Sequence, residues 1–187
     1  MSVGRALPLL MRPGLRLVFI GNNPGIESAR AGHYYAHPGN AFWRQLSESG
    51  LVPGPVTSAD DAGLMDLAGI GFTDICTHAT ARAAELSSAD LRQGALRLHG
   101  ELVLYEPAIA VFNGRSVFEP FARHALGLVP VAIRGRAFGA QTEMLAATRL
   151  WMIPSSSGLA SGWRARRLEL LKELACELGP VKPPGGG

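Results

Sequence analysis

The sequence predicts an α/β fold with three layers, αβα, around a central, mostly parallel sheet of four to five strands. Two observations lead to this fold class: apolar runs of strand length recur along the chain, and segments with helical spacing of apolar residues lie between them. Strands that alternate with helices form βαβ units, whose helices cover both faces of a parallel sheet. We expect a single domain over residues 1–179 and a disordered tail over 180–187 (PVKPPGGG).

Apolar, β-branched runs mark the expected strands. In chain order, these runs are 15–20 (LRLVFI), 69–75 (GIGFTDI), 108–113 (AIAVFN), 129–133 (VPVAI) and 149–154 (RLWMIP). Helical spacing predicts four helices, over 40–49, 87–105, 114–126 and 163–178. Ser88 is the expected N-cap of the second of these helices, and Gly179-Pro180 ends the last one.

Composition narrows the class of protein. The chain has 187 residues, 47% of them apolar, which is enough to bury a hydrophobic core. Its apolar runs are shorter than a membrane span, its first segment lacks a signal-peptide cleavage site, and Cys76 and Cys176 belong to no CxxC pair. We therefore expect a cytoplasmic protein with reduced cysteines that acts without a membrane, a metal or a cofactor.

Basic residues are concentrated near one unusual loop, 153–163 (IPSSSGLASGW). The formal net charge is +3, and the last third of the chain contains Arg134, Arg136, Arg149, Arg164, Arg166 and Arg167. A positive stripe around the loop would suit phosphate groups, and a solvated surface is the alternative.

Three polar segments directly follow expected strands. They are the long loop that begins at Asn22, the pair Thr73-Asp74, and the loop 153–163. In open parallel sheets, ligands bind beyond the carboxyl ends of the strands. We therefore expect these three segments to meet in one crevice.

The loop after the first strand, GNNPGIESARAGHYYAHPGNAFW (21–43), carries the most information. Asn23-Pro24-Gly25 is a turn sequence, because a residue before proline is extended and glycine tolerates positive φ. The aromatic side chains of Tyr34 and Tyr35 could also stack on a flat ligand. The loop contains neither GxGxxG nor Gly-Lys-Ser/Thr, which excludes the common nucleotide-binding loops.

This loop closely resembles the first motif of the mismatch-specific uracil-DNA and thymine-DNA glycosylases, Gly-Ile-Asn-Pro-Gly followed by aromatic-Ala-His-Pro-x-Asn-x-Phe-Trp. The match includes His37-Pro38, Asn40 and Phe42-Trp43, and it continues through GFTD and PSSSGL to the last helix. It therefore covers nearly the whole chain, and the bacterial G/U mismatch-specific enzymes are the most similar in length. The resemblance implies a uracil-DNA glycosylase-like fold.

The resemblance also implies roles for residues of this loop. Asn23 matches the catalytic asparagine, which positions the hydrolytic water. Tyr35 matches the aromatic residue that stacks on the flipped base, and Asn22 would contact the base through its backbone. Ser28 matches the position that faces the 5-substituent of the pyrimidine, where small residues admit thymine more readily.

Asp74 departs from the family pattern. It lies in GFTDIC, beside the expected active site, at a position where the family residue varies and need not be acidic. A carboxylate there could deprotonate the water or offset the cationic sugar. The structural alternatives are a turn cap after the strand and an ion pair with Arg82.

The late loop resembles the family's second motif, Asn-Pro-Ser-Gly-Leu, with Ser155 and Ser156 in place of Asn-Pro. The resemblance implies that the loop enters the minor groove and that Leu159 wedges into the gap left by the flipped base. The expected DNA-binding residues are Ser157, Gly158, Leu159, Ala160, Ser161 and Arg164. Bacterial relatives can have Arg at the position of Ser161, so we expect weaker dependence on the opposite base and easier acceptance of single strands.

The expected function is a monofunctional DNA glycosylase that excises uracil, with thymine and damaged pyrimidines as further candidates, from G-mismatched DNA. Its expected partner is double-stranded DNA with G·U or related mismatches, with single-stranded DNA as a second substrate, and the protein is expected to act as a monomer. The alternatives are a catalytically weak DNA-damage binding module and a nucleoside or nucleotide hydrolase on the same scaffold.

Overall fold

The computed structural model describes residues 6–181, and its strands form a five-stranded sheet in the order β2-β1-β3-β5-β4. The strands are β1 Leu17–Gly21, β2 Ile70–Asp74, β3 Ile109–Asn113, β4 Gly139–Leu145 and β5 Thr148–Ile153. Strands β1, β2, β3 and β5 are parallel, whereas β4 is antiparallel to β5. The mostly parallel sheet predicted from the sequence is confirmed.

Helices connect these strands. They are α1 Ile26–Ala31, α2 Phe42–Ser49, α3 Leu64–Leu67, α4 Ser88–Tyr105, α5 Arg115–His124, α6 Pro130–Ile133 and α7 Arg164–Leu178. Short 3₁₀ helices cover Ser58–Asp60, Ala83–Glu85 and Gly158–Trp163. None of the helices within 6–181 is long and apolar enough to cross a membrane. Most of the predicted tail over 180–187 lies outside the described residues.

Each face of the sheet packs against its own layer of helices. Along β1, Leu17 and Phe19 join a buried cluster with residues of α2 and α7, whereas Val18 and Ile20 join a second cluster with residues of α4 and α5. Successive side chains of a strand point to opposite faces, so an uninterrupted apolar run is what a strand buried on both faces requires. The result is the three-layer αβα arrangement.

The predicted strand over 129–133 is wrong. This segment contains the short helix α6, with Pro130 in its first turn. The N–H group that proline lacks would have no partner within the helix at that position. Within this run Ile133 is buried in the second cluster, whereas the side chains of Val129 and Val131 are 58% and 82% exposed, so most of the run lies outside the core. The fifth strand is instead β4, whose polar centre was not recognised because it forms the sheet edge and alternates between buried and exposed residues.

The ends of two helices show how local sequence sets their bounds. Helix α4 is capped by Ser87, one residue before the predicted Ser88, because Ser87 and Asp90 form a reciprocal capping box. The Ser87 hydroxyl oxygen accepts from the Asp90 N–H at 3.1 Å, and the Asp90 carboxylate accepts from the Ser87 N–H at 2.9 Å. Helix α7 ends as predicted, at Gly179 with φ of 71°.

Candidate active site

One pocket collects polar residues from the carboxyl ends of four strands. Its lining includes Asn22 and Asn23 after β1, Asp74 at the end of β2, Asn113 at the end of β3, and the segment 155–157 after β5. The predicted meeting of the three polar segments at this edge of the sheet is confirmed. Of the residues assigned to the site from the sequence, Asn22, Asn23, Ser28, Tyr35, Asp74 and Ser157 line this pocket.

The loop after β1 folds back so that it forms one wall of the pocket. Its first part is the short helix α1, which ends at Gly32 in the left-handed region with φ of 77°. The Ser28 hydroxyl oxygen accepts a hydrogen bond from the Ala36 N–H at 3.1 Å, which ties α1 to the segment that contains Tyr35. Ser28 is therefore a buried pocket residue that also fixes the shape of the loop.

Tyr35 has a backbone conformation that is rare for a bulky residue, with φ of 53°. One face of its ring packs on Phe42, with ring centroids 4.3 Å apart and planes inclined by 30°. Its hydroxyl oxygen is buried and has no hydrogen-bond partner among residues 6–181. Burial, with a further contribution from nearby Asp74, raises the pKa of the Tyr35 hydroxyl, so it stays neutral. The ring is thus a rigid, neutral wall of the pocket.

The amide of Asn23 is held in one orientation. Its Nδ2 lies close to three acceptors: the Thr80 hydroxyl at 2.9 Å, the His78 carbonyl at 3.1 Å and the Pro24 carbonyl at 3.2 Å. An oxygen in that position would face only acceptors, so the orientation of the amide is determined by its surroundings. The Asn23 Oδ1 atom makes no hydrogen bond within the described chain and remains able to accept one from a ligand or a water.

Asp74 has a carboxyl group with unusual acidity. The residue is 6% exposed, and burial raises its pKa from 3.8 to about 7, while Arg97 acts in the opposite direction. Within 6–181 the carboxylate forms neither a hydrogen bond nor an ion pair, so the predicted alternatives of a turn cap and of a pair with Arg82 are wrong. A carboxyl group that gains and loses a proton near neutral pH is suited to base chemistry.

Gly21 allows Asp74 and Tyr35 to approach each other. A Cβ atom at Gly21 would overlap the Asp74 carboxylate and would lie 3.1 Å from the Tyr35 hydroxyl. Only glycine leaves this space open. The last residue of β1 therefore permits the carboxylate and the aromatic wall to share one corner of the pocket.

Asn113 and Ser156 form a buried polar pair that we did not predict from the sequence. The Asn113 Nδ2 donates to the Ser156 hydroxyl at 2.8 Å, and the Ser156 N–H donates to the Asn113 Oδ1 at 3.0 Å. Their side chains are 5% and 1% exposed, respectively. A polar residue at the carboxyl end of the buried run 108–113 was the available signal, because that position faces the same edge as Asp74.

The late loop runs from the pocket to the surface. Ser157 lines the pocket, whereas Leu159, two residues later, is fully exposed. The Ala41 N–H donates to the Ser156 carbonyl at 3.0 Å, and buried Arg167 donates to the Ser155 carbonyl. The loop is therefore anchored at its base and presents an apolar side chain at its tip.

The arginines of the last third do not form one positive stripe. Arg136 pairs with Glu143, Arg149 with Glu177, and Arg166 with both Glu169 and Glu173. Arg167 is 1% exposed and is a structural anchor of the late loop. Arg164 is exposed beside Ser161 and has no ion pair within the described chain.

Metal binding has no visible basis in the described residues. No group of three or more His, Cys, Asp or Glu side chains within 6–181 could hold a metal ion. Cys76 is buried, Cys176 is exposed, and the two form no disulfide within the described residues.

The fold and the pocket define the class: an αβα protein with an amide, a carboxylate and an aromatic wall at the carboxyl edge of a parallel sheet. The chain belongs to the uracil DNA glycosylase superfamily, whose sequence model matches residues 9–179. Membership implies a hydrolase that acts on N-glycosyl bonds, with DNA as its partner.

A solved structure shows the same fold. The solution NMR structure of a candidate uracil DNA glycosylase from Methanosarcina acetivorans superposes with a TM-score of 0.60 at 18% sequence identity. The alignment covers 92% of this chain and 99% of the archaeal chain.

Proposed function

We propose that this protein is a monofunctional glycosylase that excises uracil from G·U mismatches in duplex DNA and leaves an abasic site. The observation that carries the proposal is the fixed amide of Asn23, whose free Oδ1 lies in a pocket with the carboxyl group of Asp74 and the ring of Tyr35. Monomeric action in the cytoplasm, on DNA of the nucleoid, is part of the same proposal.

Asn23 and Asp74 have different roles in activating the hydrolytic water. The Asn23 Oδ1 accepts a hydrogen bond from the water and orients it, because both hydrogens of its amide are already bound to loop acceptors. Asp74, ionised above about pH 7, accepts the proton as the water attacks C1′ of the sugar. A negative charge at Asp74 also stabilises the sugar cation that forms as the bond to the base breaks.

The remaining pocket residues hold the base. The ring of Tyr35 stacks on the flipped pyrimidine, and Ser28 faces its 5-substituent. The Asn22 carbonyl is already bonded to the Cys76 N–H at 2.8 Å, so the backbone contact of Asn22 with the base uses its N–H group. Donors that face the base stabilise the negative charge that it gains in the transition state.

The late loop opens the duplex. Leu159 is fully exposed and enters the space that the flipped base leaves, as apolar wedges do in proteins that unstack DNA. Gly158, Ala160 and Ser161 let the backbone approach the minor groove, and exposed Arg164 contacts a phosphate. Ser157 connects this loop to the pocket.

The test is excision from duplexes that carry uracil or thymine opposite each of the four bases, and from single-stranded DNA with uracil. We expect cleavable abasic sites, formed fastest from G·U duplexes, and a loss on the order of 100-fold or more in Asn23→Ala. Tight binding without excision would identify a damage-binding module. Cleavage of free deoxyuridine without cleavage in DNA would identify a nucleoside hydrolase.

A further inference from the structure

Asp74 is in contact with a second group of residues, away from Asn23. A smaller cavity of about 110 Å³ adjoins the pocket, and Asp74 lies in the walls of both. Thr73, Arg97 and Glu101 line this second cavity but not the pocket. A charged pair on α4 therefore shares with Asp74 a cavity that Asn23 does not line.

Arg97 binds the end of β2 directly. Its Nη2 donates to the main-chain carbonyl of Asp74 and, at 3.2 Å, to that of Ile75. Its Nη1 forms an ion pair with Glu101, one turn further along α4. The Arg97 and Glu101 side chains are 31% and 17% exposed, so the pair is partly shielded from water.

The packing of α4 makes this contact possible. Gly94 lies one turn before Arg97, and a Cβ atom there would overlap the carbonyl oxygen of Ile75. The helix therefore touches the strand end through a glycine, which brings the guanidinium of the next turn over the carbonyls of Asp74 and Ile75. The position of Arg97 therefore follows from the packing of α4 against the end of β2. One nitrogen of its guanidinium binds the carbonyls of Asp74 and Ile75, and another binds Glu101.

Arg97 is also the charged group that acts on Asp74. The other titratable neighbours are the hydroxyls of Tyr34 and Tyr35 and the thiol of Cys76. Burial raises the pKa of both tyrosines, and it raises the pKa of Cys76 to about 11, so all three are neutral near pH 7. Arg97 is the group that favours the ionised form of the buried carboxylate.

We propose that Arg97, balanced by Glu101, is a positioning residue that fixes the end of β2 and controls the ionisation of Asp74. The inference rests on the proposed role of Asp74 as the base. Arg97 favours the carboxylate, and Glu101 offsets part of its charge. The pair thus sets the pH range in which the protein can activate water, without either residue touching DNA.

The test measures the titration of Asp74 in two ways. The first is the ¹³C chemical shift of the Asp74 carboxyl group against pH in the free protein, and the second is the single-turnover excision rate from pH 5 to 9. The variants are Arg97→Met, Arg97→Lys and Glu101→Gln, with Arg92→Met as a matched control, because Arg92 is an exposed arginine of the same helix.

Arg97→Met should raise the midpoint of both curves by about one pH unit, which lowers excision at pH 7 about fivefold and leaves the high-pH plateau intact. Glu101→Gln should lower the midpoint, and Arg97→Lys and the Arg92 control should stay near the wild type. If Arg97→Met does not fold, the shift of the midpoint in Glu101→Gln decides whether the proposal holds.

Two results would overturn the proposal: unmoved midpoints in the Arg97 and Glu101 variants, or lower rates at every pH with the wild-type midpoint. Other results would contradict the proposed function rather than the role of Arg97. If Asp74→Ala excises as well as the wild type, Asp74 is not the base. If no substrate is excised, the protein is not a glycosylase, and the NMR titration still reports on Arg97.

Discussion

At the residue scale, Gly21, Tyr35 and Asp74 lie close together in one corner of the pocket. The Asp74 carboxylate and the Tyr35 hydroxyl both lie close to the position that a Cβ atom at Gly21 would take, and the backbone of Tyr35 is left-handed. Backbone strain of this kind costs about 1–3 kcal/mol and is retained only where the surrounding structure enforces it. A requirement for the Tyr35 ring to line the pocket explains why this strained backbone is retained.

Gly21→Ala tests this corner. The added methyl group would displace the Asp74 carboxylate, and a displacement of about 1 Å in a catalytic group can cost on the order of 100-fold in rate. We expect such a loss in single-turnover excision. Gly54→Ala is the control, because a Cβ atom there meets nothing within 4 Å. Equal excision rates in the two variants would show that this corner of the pocket does not contribute to catalysis.

The acidity of Asp74 also predicts a pH-dependent stability. The folded pKa is about 7 and the ordinary value is 3.8, so the folded protein keeps a proton that the unfolded chain has released. The free energy of unfolding should therefore fall as pH rises from about 4 to about 7, by up to about 4 kcal/mol.

Urea unfolding of the wild type and of Asp74→Asn between pH 4.5 and 8 measures this effect. Asparagine resembles the protonated acid and does not titrate, so the stability of the variant relative to the wild type should increase with pH and level off above about 7. Parallel stability curves would mean that the carboxylate is ionised throughout.

At the scale of elements, the late loop and helices α2 and α7, from distant parts of the chain, are joined by buried side chains. Arg167 of α7 donates to the carbonyl of Ser155 and to the side chain of Gln45 in α2, and Gln45 donates to the carbonyl of Arg164 at 2.7 Å. Burial lowers the pKa of Arg167 to about 10, which still leaves it charged at neutral pH. This anchor holds the base of the late loop while its tip stays exposed.

Leu159→Ala tests the tip of the loop. Leu159 is fully exposed, so the substitution should leave the free energy of unfolding unchanged. Excision from G·U duplexes should fall about tenfold, because the gap left by the flipped base is no longer filled, whereas excision from single strands should not change. Leu104→Ala is a matched control, since Leu104 is 69% exposed near the end of α4 that is remote from the pocket. An equal fall on both substrates would exclude a wedge.

At the scale of the whole molecule, the net charge is small, and the last third of the chain offers few free arginines to DNA. The formal net charge is +3, and four of the six arginines in the last third are paired or buried. Binding should therefore depend on salt with a modest slope, since each neutralised phosphate contributes about −0.9 to the slope of log K against log salt.

Arg164→Gln should reduce that slope by about 1, because Arg164 is exposed beside the late loop. Arg166→Gln is the control, since Arg166 already pairs with Glu169 and Glu173. Titration of labelled duplex at several salt concentrations gives both slopes. Equal slopes in both variants and the wild type would place the phosphate contacts elsewhere.

Local sequence was enough to predict the alternation of strands and helices, the superfamily, and the segments that form the site. Apolar periodicity and motifs such as Asn23-Pro24-Gly25 are properties of neighbouring residues, so they can be detected without coordinates. Two elements were assigned wrongly: the apolar run 129–133 forms a short, largely exposed helix, and the edge strand β4 was missed. Composition does not show which side of an element meets the core.

Which distant side chains share a site depends on the packing of the folded chain. The overlap at Gly21, the pairing of Asn113 with Ser156, the burial of Arg167 and the contact of Arg97 with the end of β2 join residues far apart in the chain. Such contacts depend on how whole elements pack, and burial then changes the chemistry of the groups involved. That is why Asp74 could be located from the sequence, whereas its raised pKa could not.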